Sequence, residues 1–583
     1  MDYGSLKKLY ILERIMNKKI QSVTASESVE VHLPDGSVLS GPRGTCAGDF
    51  LAKVAGPESV PLMAAIVNTD LRELTFPVQM EARLAPVTMA DADGARIYRR
   101  SLTFLLSAAF ANLFPGNHMT IDHSVSSGGY FCQLTDRSPL SNAELASLDE
   151  YMRAWVKKDE SFCRQEVSLE EAKAYFESKG YHDKVLLLSY RQKDYVTLYQ
   201  LDDYRDYHQG YMVPSTGYLK WFEIVPAGDG FILHYPQRRT PTSILPLPEY
   251  PKLLAAFRQY GQWLERLGIG SVGAMNDAIQ EGRSRAVILV SEALHEQNIA
   301  EIARQIHGRG EHARVVLIAG PSSSGKTTFS RRLAVQLLAL GLSPFALELD
   351  NFFVDREKTP LGEDGQFDFE ALEALDLDLL GEDLSRLIAG EAVQLPKYNF
   401  KSGKREAGET IQLGPEHIII LEGIHGLDPR LVPASVAKRA FRIYVSALTQ
   451  LNLDRHNRVS TTDTRLIRRI VRDTFERGYT AVQTISRWES VRRGEKKYIF
   501  PYQENADAMF NSALVYELSA LKPLAEPILR QVPYGTPEYI EAKRLLAFLE
   551  WFLPVEADLI PDNSLLREFV GGSILKDFTV WKA

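Results

Sequence analysis

The stretch Gly320-Pro321-Ser322-Ser323-Ser324-Gly325-Lys326-Thr327 matches GxxxxGK[ST] in full. It follows Val315-Val316-Leu317-Ile318, an apolar run read as a buried strand. It precedes Phe329, Leu333, Leu337 and Leu338, which repeat at helical spacing. Strand, glycine-rich loop and helix in that order build a phosphate cradle: backbone N–H groups and a helix N-terminus receive negative charge. The residues expected to bind ATP are Gly320, Pro321, Ser322, Ser323, Ser324, Gly325, Lys326, Thr327 and Thr328. Lys326 reaches the β and γ phosphates, and Thr327 is a ligand for Mg²⁺. With ordinary residue usage, a chain of this length holds roughly 0.02 accidental matches.

Outward from the loop, Arg314–Ala319, Phe345–Leu349, Ile418–Leu421 and Phe441–Val445 are short β-rich runs separated by helical patterns, as in a parallel α/β sheet. Asp350 falls at the carboxyl end of the second run, the edge where such sheets bind ligands. A carboxylate there can accept a hydroxyl proton and help hold Mg²⁺; a plain strand-end turn is the competing reading. Glu422 emerges from Ile418-Ile419-Ile420-Leu421, as an acid that holds a metal or its waters does. Arg465, Arg468, Arg469 and Arg472 stand at i, i+3, i+4 and i+7, followed by Arg477. Such a face is either a salt-bridge network or a lid that stabilises a transferring phosphoryl group.

Composition bounds the rest. The chain has 583 residues, 45% hydrophobic and 24% charged, which excludes a mainly disordered or collagen-like protein and suggests three or four domains. The net charge of −8 argues against a globally basic nucleic-acid coat. Cys46, Cys132 and Cys163 make no CxxC or zinc-knuckle spacing, which fits a reducing cytosol. Met1–Ile20 lacks an uninterrupted apolar core, and no stretch approaches 18 uncharged apolar residues. A cytoplasmic protein with no membrane partner is expected.

In the first half, Val29–Leu33, the turn Pro34-Asp35-Gly36-Ser37 and Val38-Leu39 read as a β-hairpin. Phe50, Leu51, Val54 and Ala55 read as a helix, with Ala65–Val67 and Leu74–Val78 as strands. Helices are expected over Tyr98–Leu113 and Ser168–Ser178, and strands over Val185–Leu188 and Tyr195–Tyr199. Tyr98, Tyr207 and Trp221 read as packing residues. A Pro-rich run from Pro241 to Pro251 introduces a helical stretch, Lys252–Leu267 and Glu292–His307, serving as a spacer or a packed bridge.

The ordered motifs GPSSSGKTTFSRRL, LDNFF, FDFE, PKYNF, IIILEGIHGL and TRLIRRIVRD, between about Arg314 and Leu518, resemble the uridine kinase and phosphoribulokinase family of P-loop kinases. That resemblance implies ATP and Mg²⁺ as cofactors. It assigns catalytic roles to Asp350, Lys326, Arg469 and Arg472. Acceptor binding falls to Asp350, Asp368, Tyr398 and Arg469, and metal binding to Thr327, Glu422 and Asp350. It places Gly403 where uridine-cytidine kinases carry a base-contacting histidine, and Tyr479 and Arg487 where they carry an arginine and a glutamine.

VEVHLPDGS resembles a TGS domain, and YRRSLTFLLSAAFANLFPG, GGYFCQL and DYRDYHQGYMVPSTG resemble the second additional domain of threonyl-tRNA synthetase. Arg100, Phe104, His208 and Met212 take the positions of that enzyme's HxxxH and CxxxH motifs, leaving one metal ligand where a zinc or editing site needs several.

The fold class expected is multidomain: an α/β P-loop kinase domain with a parallel sheet, preceded by a small α+β TGS-like domain and an α+β synthetase-like domain. The boundaries read as an extension at 1–26, the TGS-like domain at 27–91, the synthetase-like domain at 92–240, a helical connector at 241–312, the kinase domain at 313–520 and a C-terminal helical segment at 521–583. The activity expected is phosphoryl transfer from ATP to a hydroxyl, foremost the 5′-hydroxyl of a ribonucleoside. The alternatives are a sugar-phosphate kinase, or a regulatory protein that binds tRNA or other RNA and switches on ATP. The oligomeric state stays open, a homo-oligomer included.

Overall fold

The strand that feeds the phosphate loop, Val315–Ala319, is buried at every position and sits in the middle of a five-stranded sheet. The order is Ser343–Glu348, His417–Glu422, Val315–Ala319, Ala440–Ser446 and Ala508–Asn511, with every pairing parallel. Near-continuous apolar strands such as these belong in a sheet covered on both faces. Val316, Ile318, Ile420 and Ile443 pack on one side with Phe329, Leu333 and Leu337 of the helix Lys326–Ala339. Val315, Leu317, Ile419 and Leu421 pack on the other with Leu380, Leu384 and Leu387 of the helix Leu377–Ile388.

The structure is a computed structural model describing residues 26–578, apart from 57–59, 126–127, 136, 363–364, 366 and 450. The expected extension and the Met1–Ile20 reading therefore lie almost wholly outside the described residues. Among these residues no helix is long and apolar enough to cross a membrane.

The first module is a five-stranded mixed sheet containing the expected hairpin, Ser28–His32 against Val38–Pro42. Its helix, Ala47–Ala52, stops before Val54 and Ala55, which are exposed. Leu74–Val78 is not a strand: Pro77 makes only an isolated bridge to Cys46, and strands form instead at Asp70–Arg72 and Ala82–Thr88. The second module packs the helix Ala92–Leu113 with a four-stranded antiparallel sheet and a three-stranded one.

One expectation there is overturned. Val185–Leu188 lies in a helix, His182–Ser189. Four successive aliphatic residues suit a buried strand or a buried helix equally, and here the helical turn buries Lys184 together with Leu187 and Leu188.

The connector is a packed bridge and not a spacer. Its helices run Pro251–Leu267, Val272–Gln280 and Ser284–Gly308. Leu253 and Phe257 pack with Tyr444 and Leu448 of the kinase region. Tyr260, Leu264, Val272 and Ile299 join a core that runs from Val167 and Phe176 to Phe329 and Ile443. The C-terminal residues add helices Glu517–Leu529, Glu538–Leu549 and the short Arg567–Val570.

Candidate active site

Strand register places the acids. Ile318 pairs with Glu422, and Glu348 pairs with Glu422, so the phosphate loop, Glu422 and the turn Leu349–Phe352 leave the sheet at the same edge. Between Ala319 and Lys326 the chain makes a loop that only small residues permit. A Cβ on Gly320 would lie 1.9 Å from the Val445 carbonyl oxygen, and Gly325 has φ +86° at the helix N-cap.

Within the loop, the Thr327 hydroxyl donates to Glu422 Oε1 at 2.9 Å. These two hard oxygen donors fit Mg²⁺, which takes one or two protein oxygens and keeps its remaining positions for water and phosphate. Lys326 Nζ donates to the Pro321 carbonyl at 3.2 Å. Desolvation lowers its pKa, opposed by the charges of Glu422 and Glu568. Burial likewise pushes the Glu422 carboxyl up, opposed by Lys326. The buried hydroxyls of Ser323 and Ser324 have no hydrogen-bond partner among the described residues, as expected of groups that complete their bonding with an anion.

Asp350 makes no side-chain hydrogen bond among the described residues and keeps solvent access. Desolvation, with the like charge of Glu348, raises its pKa above the usual carboxylate range. That combination suits a proton acceptor whose partner is a ligand.

Asp368 accepts from the Tyr498 hydroxyl at 2.8 Å and from the Glu370 N–H at 3.1 Å. Tyr398 is buried with no partner for its hydroxyl among the described residues, its ring 5.6 Å from Phe353 and 5.1 Å from Phe400. Phe400 is exposed beside it, and exposed Phe369 and Phe367 continue the group beyond Phe353. Asp350 and this aromatic group are linked by Asn351, whose Oδ1 accepts from the Tyr398 N–H at 3.2 Å. At Gly403 the space for a larger side chain is filled by Arg356, which donates to the Phe400 carbonyl at 2.6 Å.

The arginine face divides in two. On the helix Thr461–Arg477, Arg465 and Arg468 are fully buried, so for them the salt-bridge reading holds. Arg465 pairs with Glu495 and donates to the Ser322 carbonyl at 2.8 Å. Arg468 pairs with Glu517 and donates to the Ser512 carbonyl at 2.8 Å. They brace the loop from behind. Arg469 reaches the loop itself, donating to the Ser322 hydroxyl at 2.8 Å while pairing with Asp473. Arg472 pairs with Asp473, as does Arg477.

Two acids that motif reading does not single out touch the cradle. Glu495 accepts from the Ser322 N–H at 3.0 Å, and Glu568 accepts from the Thr328 N–H at 3.1 Å. They come from residues 173 and 240 positions away, so no local spacing announces them.

Residues 315–519 match the Phosphoribulokinase / Uridine kinase family. The C-terminal part of the chain thus carries a P-loop kinase domain of that family. Among solved structures, this chain is similar to a putative fructose transport system kinase from a Silicibacter species, with 20% identity, TM-score 0.26, and 36% of this chain and 98% of that one covered. It is also similar to a possible uridine kinase from Bacillus stearothermophilus, with 18% identity, TM-score 0.25, and 37% and 97% covered.

The N-terminal part is similar to threonine–tRNA ligases. That of Burkholderia lata is 31% identical over 204 residues, 35% of this chain and 32% of that protein. That of Symbiobacterium thermophilum is 30% identical over 207 residues, with the same coverage of 35% and 32%. The chain therefore spans about a third of the length of the curated relatives it matches.

The four positions set against the HxxxH and CxxxH motifs are filled by packing. Phe104 is buried with its ring 5.8 Å from His208 and 5.5 Å from both Phe162 and Tyr204. Met212 is buried, and Arg100 donates to the Tyr211 carbonyl at 2.5 Å. No group of three or more His, Cys, Asp or Glu among the described residues can hold a metal ion.

Proposed function

We propose that this protein is an ATP- and Mg²⁺-dependent kinase that transfers the γ-phosphoryl group to a hydroxyl, foremost the 5′-hydroxyl of a ribonucleoside. The observation that carries this reading is the convergence of the phosphate loop, the Thr327–Glu422 pair and the exposed Asp350 carboxylate on one sheet edge. Lys326, the loop amides and the Ser323 and Ser324 hydroxyls hold the triphosphate. Thr327 and Glu422 would hold Mg²⁺, which when bound neutralises charge between the phosphates. Asp350 accepts the acceptor's hydroxyl proton, and Arg469, already on the loop, faces the charge of the transferring group.

The aromatic group around Tyr398 suits an acceptor with a flat ring, since exposed Phe369 and Phe400 offer stacking faces. A panel of ribonucleosides and ribulose 5-phosphate tests acceptor choice. Asp350→Asn is expected to lower kcat by roughly 10²- to 10⁴-fold on the best acceptor with ATP affinity little changed. Transfer at the wild-type rate would remove Asp350 from the role of base.

A second role rests on the likeness to threonine–tRNA ligases: the N-terminal modules bind tRNA or another RNA. Filter binding of total tRNA at low and physiological salt tests it, because phosphate contacts weaken steeply with salt. No retention at either salt would discard the RNA role and leave the kinase reading untouched.

A further inference from the structure

The segment Ser564–Val570 lies across the start of the phosphate-loop helix. Leu565 is fully buried, and a Cβ on Gly325 would lie 2.4 Å from its Cδ2. Glu568 then reaches the helix's first turn, where its Oε2 accepts from the Thr328 N–H at 3.1 Å. The first-turn N–H groups of a helix have no partner inside the helix, and in a phosphate loop they are the donors that receive the nucleotide's phosphates. A carboxylate already sits on one of them.

The two acids at the cradle are held differently. Glu495 is buried and neutralised by Arg465 and Arg492, the latter at 2.6 Å, so it is a fixed part of the scaffold. Glu568 has no ion pair among the described residues, and the Thr328 N–H is its only side-chain hydrogen bond there. Its neighbour Arg567 is spent on carbonyls of the chain just before the segment, including Ile560 at 2.5 Å and Ala557 at 3.2 Å.

The backbone under Glu568 is nonetheless anchored. The Ser564 hydroxyl donates to Glu292 Oε1 at 2.5 Å, and the Tyr516 hydroxyl donates to the same oxygen at 2.7 Å. Phe569 is buried with the Arg468 guanidinium 5.0 Å above its ring. A firmly seated segment therefore presents one carboxylate that can leave by side-chain rotation alone.

We infer that Glu568 is a built-in stand-in for a nucleotide phosphate, and that the C-terminal segment competes within the molecule against the nucleotide for the loop's amides. The inference rests on the nucleotide-binding reading above. A carboxylate at a helix N-terminus gains from the dipole and from a charge-assisted hydrogen bond. A phosphate entering the same place must displace it or endure its charge. Glu568 thereby sets how much nucleotide is needed to load the site, and swinging it out is the loading step.

The test is equilibrium binding of Mg-ATP, inorganic tripolyphosphate and adenosine to the full chain, its Glu568→Gln and Glu568→Ala variants, and an Asp558→Asn control at an exposed acid with no bond to the loop. In both Glu568 variants, Mg-ATP and tripolyphosphate should bind about tenfold more tightly, with adenosine unchanged and D558N like wild type. Unchanged or weaker phosphate binding in both variants would overturn the inference. So would equal tightening in D558N, which would mark a general charge effect, or equal tightening of adenosine, which would mark a steric one. If no form binds a phosphate ligand, the nucleotide reading itself falls, and this inference with it.

Discussion

Single residues in this molecule do their work through charges taken out of water. Lys184 is the clearest: its ammonium is fully buried between Asp206 at 2.9 Å and Asp454 at 2.8 Å. Asp206 also accepts from His456 Nδ1 at 2.8 Å, and Asp454 accepts from the Tyr207 hydroxyl at 2.6 Å. Lys184→Met would leave two buried carboxylates without their cation, so a loss of about 3 to 5 kcal/mol is expected in urea unfolding.

Buried histidines add to the acid sensitivity of the fold. Burial lowers the His208 pKa from 6.5 to about 4 and that of His295 from 6.5 to about 3. Because the folded values lie below the unfolded one, the unfolded chain takes up protons first as pH falls. Their contribution is complete above pH 6.5 and is lost between there and pH 3 to 4, so the thermal midpoint should fall across that window and should fall less in His295→Asn. At this scale the contiguous loop residues and the placement of Asp350 and Glu422 at the sheet edge were readable from sequence, because both follow from immediate neighbours. Glu495 and Glu568 were not, since what matters about them is a backbone N–H far away along the chain.

Among the elements, the arginine helix shows why periodicity reads a face without reading its purpose. The spacing of Arg465, Arg468, Arg469 and Arg472 correctly marks one side of the helix Thr461–Arg477. Which of them are braces depends on Glu495 and Glu517, contributed by two other helices. The helix therefore separates stability from chemistry over one residue. Arg468→Ala strands the buried Glu517 carboxylate and should cost about 3 to 5 kcal/mol in thermal or urea unfolding. Arg469→Ala removes a side chain at the loop and should leave unfolding nearly unchanged while lowering kcat by roughly 10²- to 10³-fold.

The misreading of Val185–Leu188 has a related cause: an unbroken aliphatic run carries no period, and the deciding partners, Asp206 and Asp454, lie outside it. The fifth strand, Ala508–Asn511, escapes notice for the opposite reason, being only four residues long and completed by its parallel neighbour Ala440–Ser446.

As a whole molecule, the chain joins a synthetase-like half to a kinase domain through a shared interior, not through a tether. The core that holds Phe329 and Ile443 also holds Phe176 and Leu187, with the connector helices between them. Polar links cross the same boundary: Arg96 pairs with Glu541 at 3.0 Å, Glu541 with Arg544 at 2.7 Å, and Arg544 with Asp463 of the arginine helix at 2.8 Å. A chain begun at residue 313 would bare the surfaces that cover Leu253, Phe257 and Tyr260, and it should aggregate or melt well below the full chain in a thermal scan.

The domain order and the parallel sheet were legible in the motifs. This joining was not, because no motif encodes which surfaces two modules share. Transfer of labelled γ-phosphate from ATP by the full chain in Mg²⁺, with the product position mapped by mass spectrometry, is the most direct test of the proposed kinase chemistry. Label on the 5′-oxygen of a ribonucleoside, absent with Lys326→Met, is the expected result. ATP consumed with label released only to water, or carried only by the protein, would contradict it.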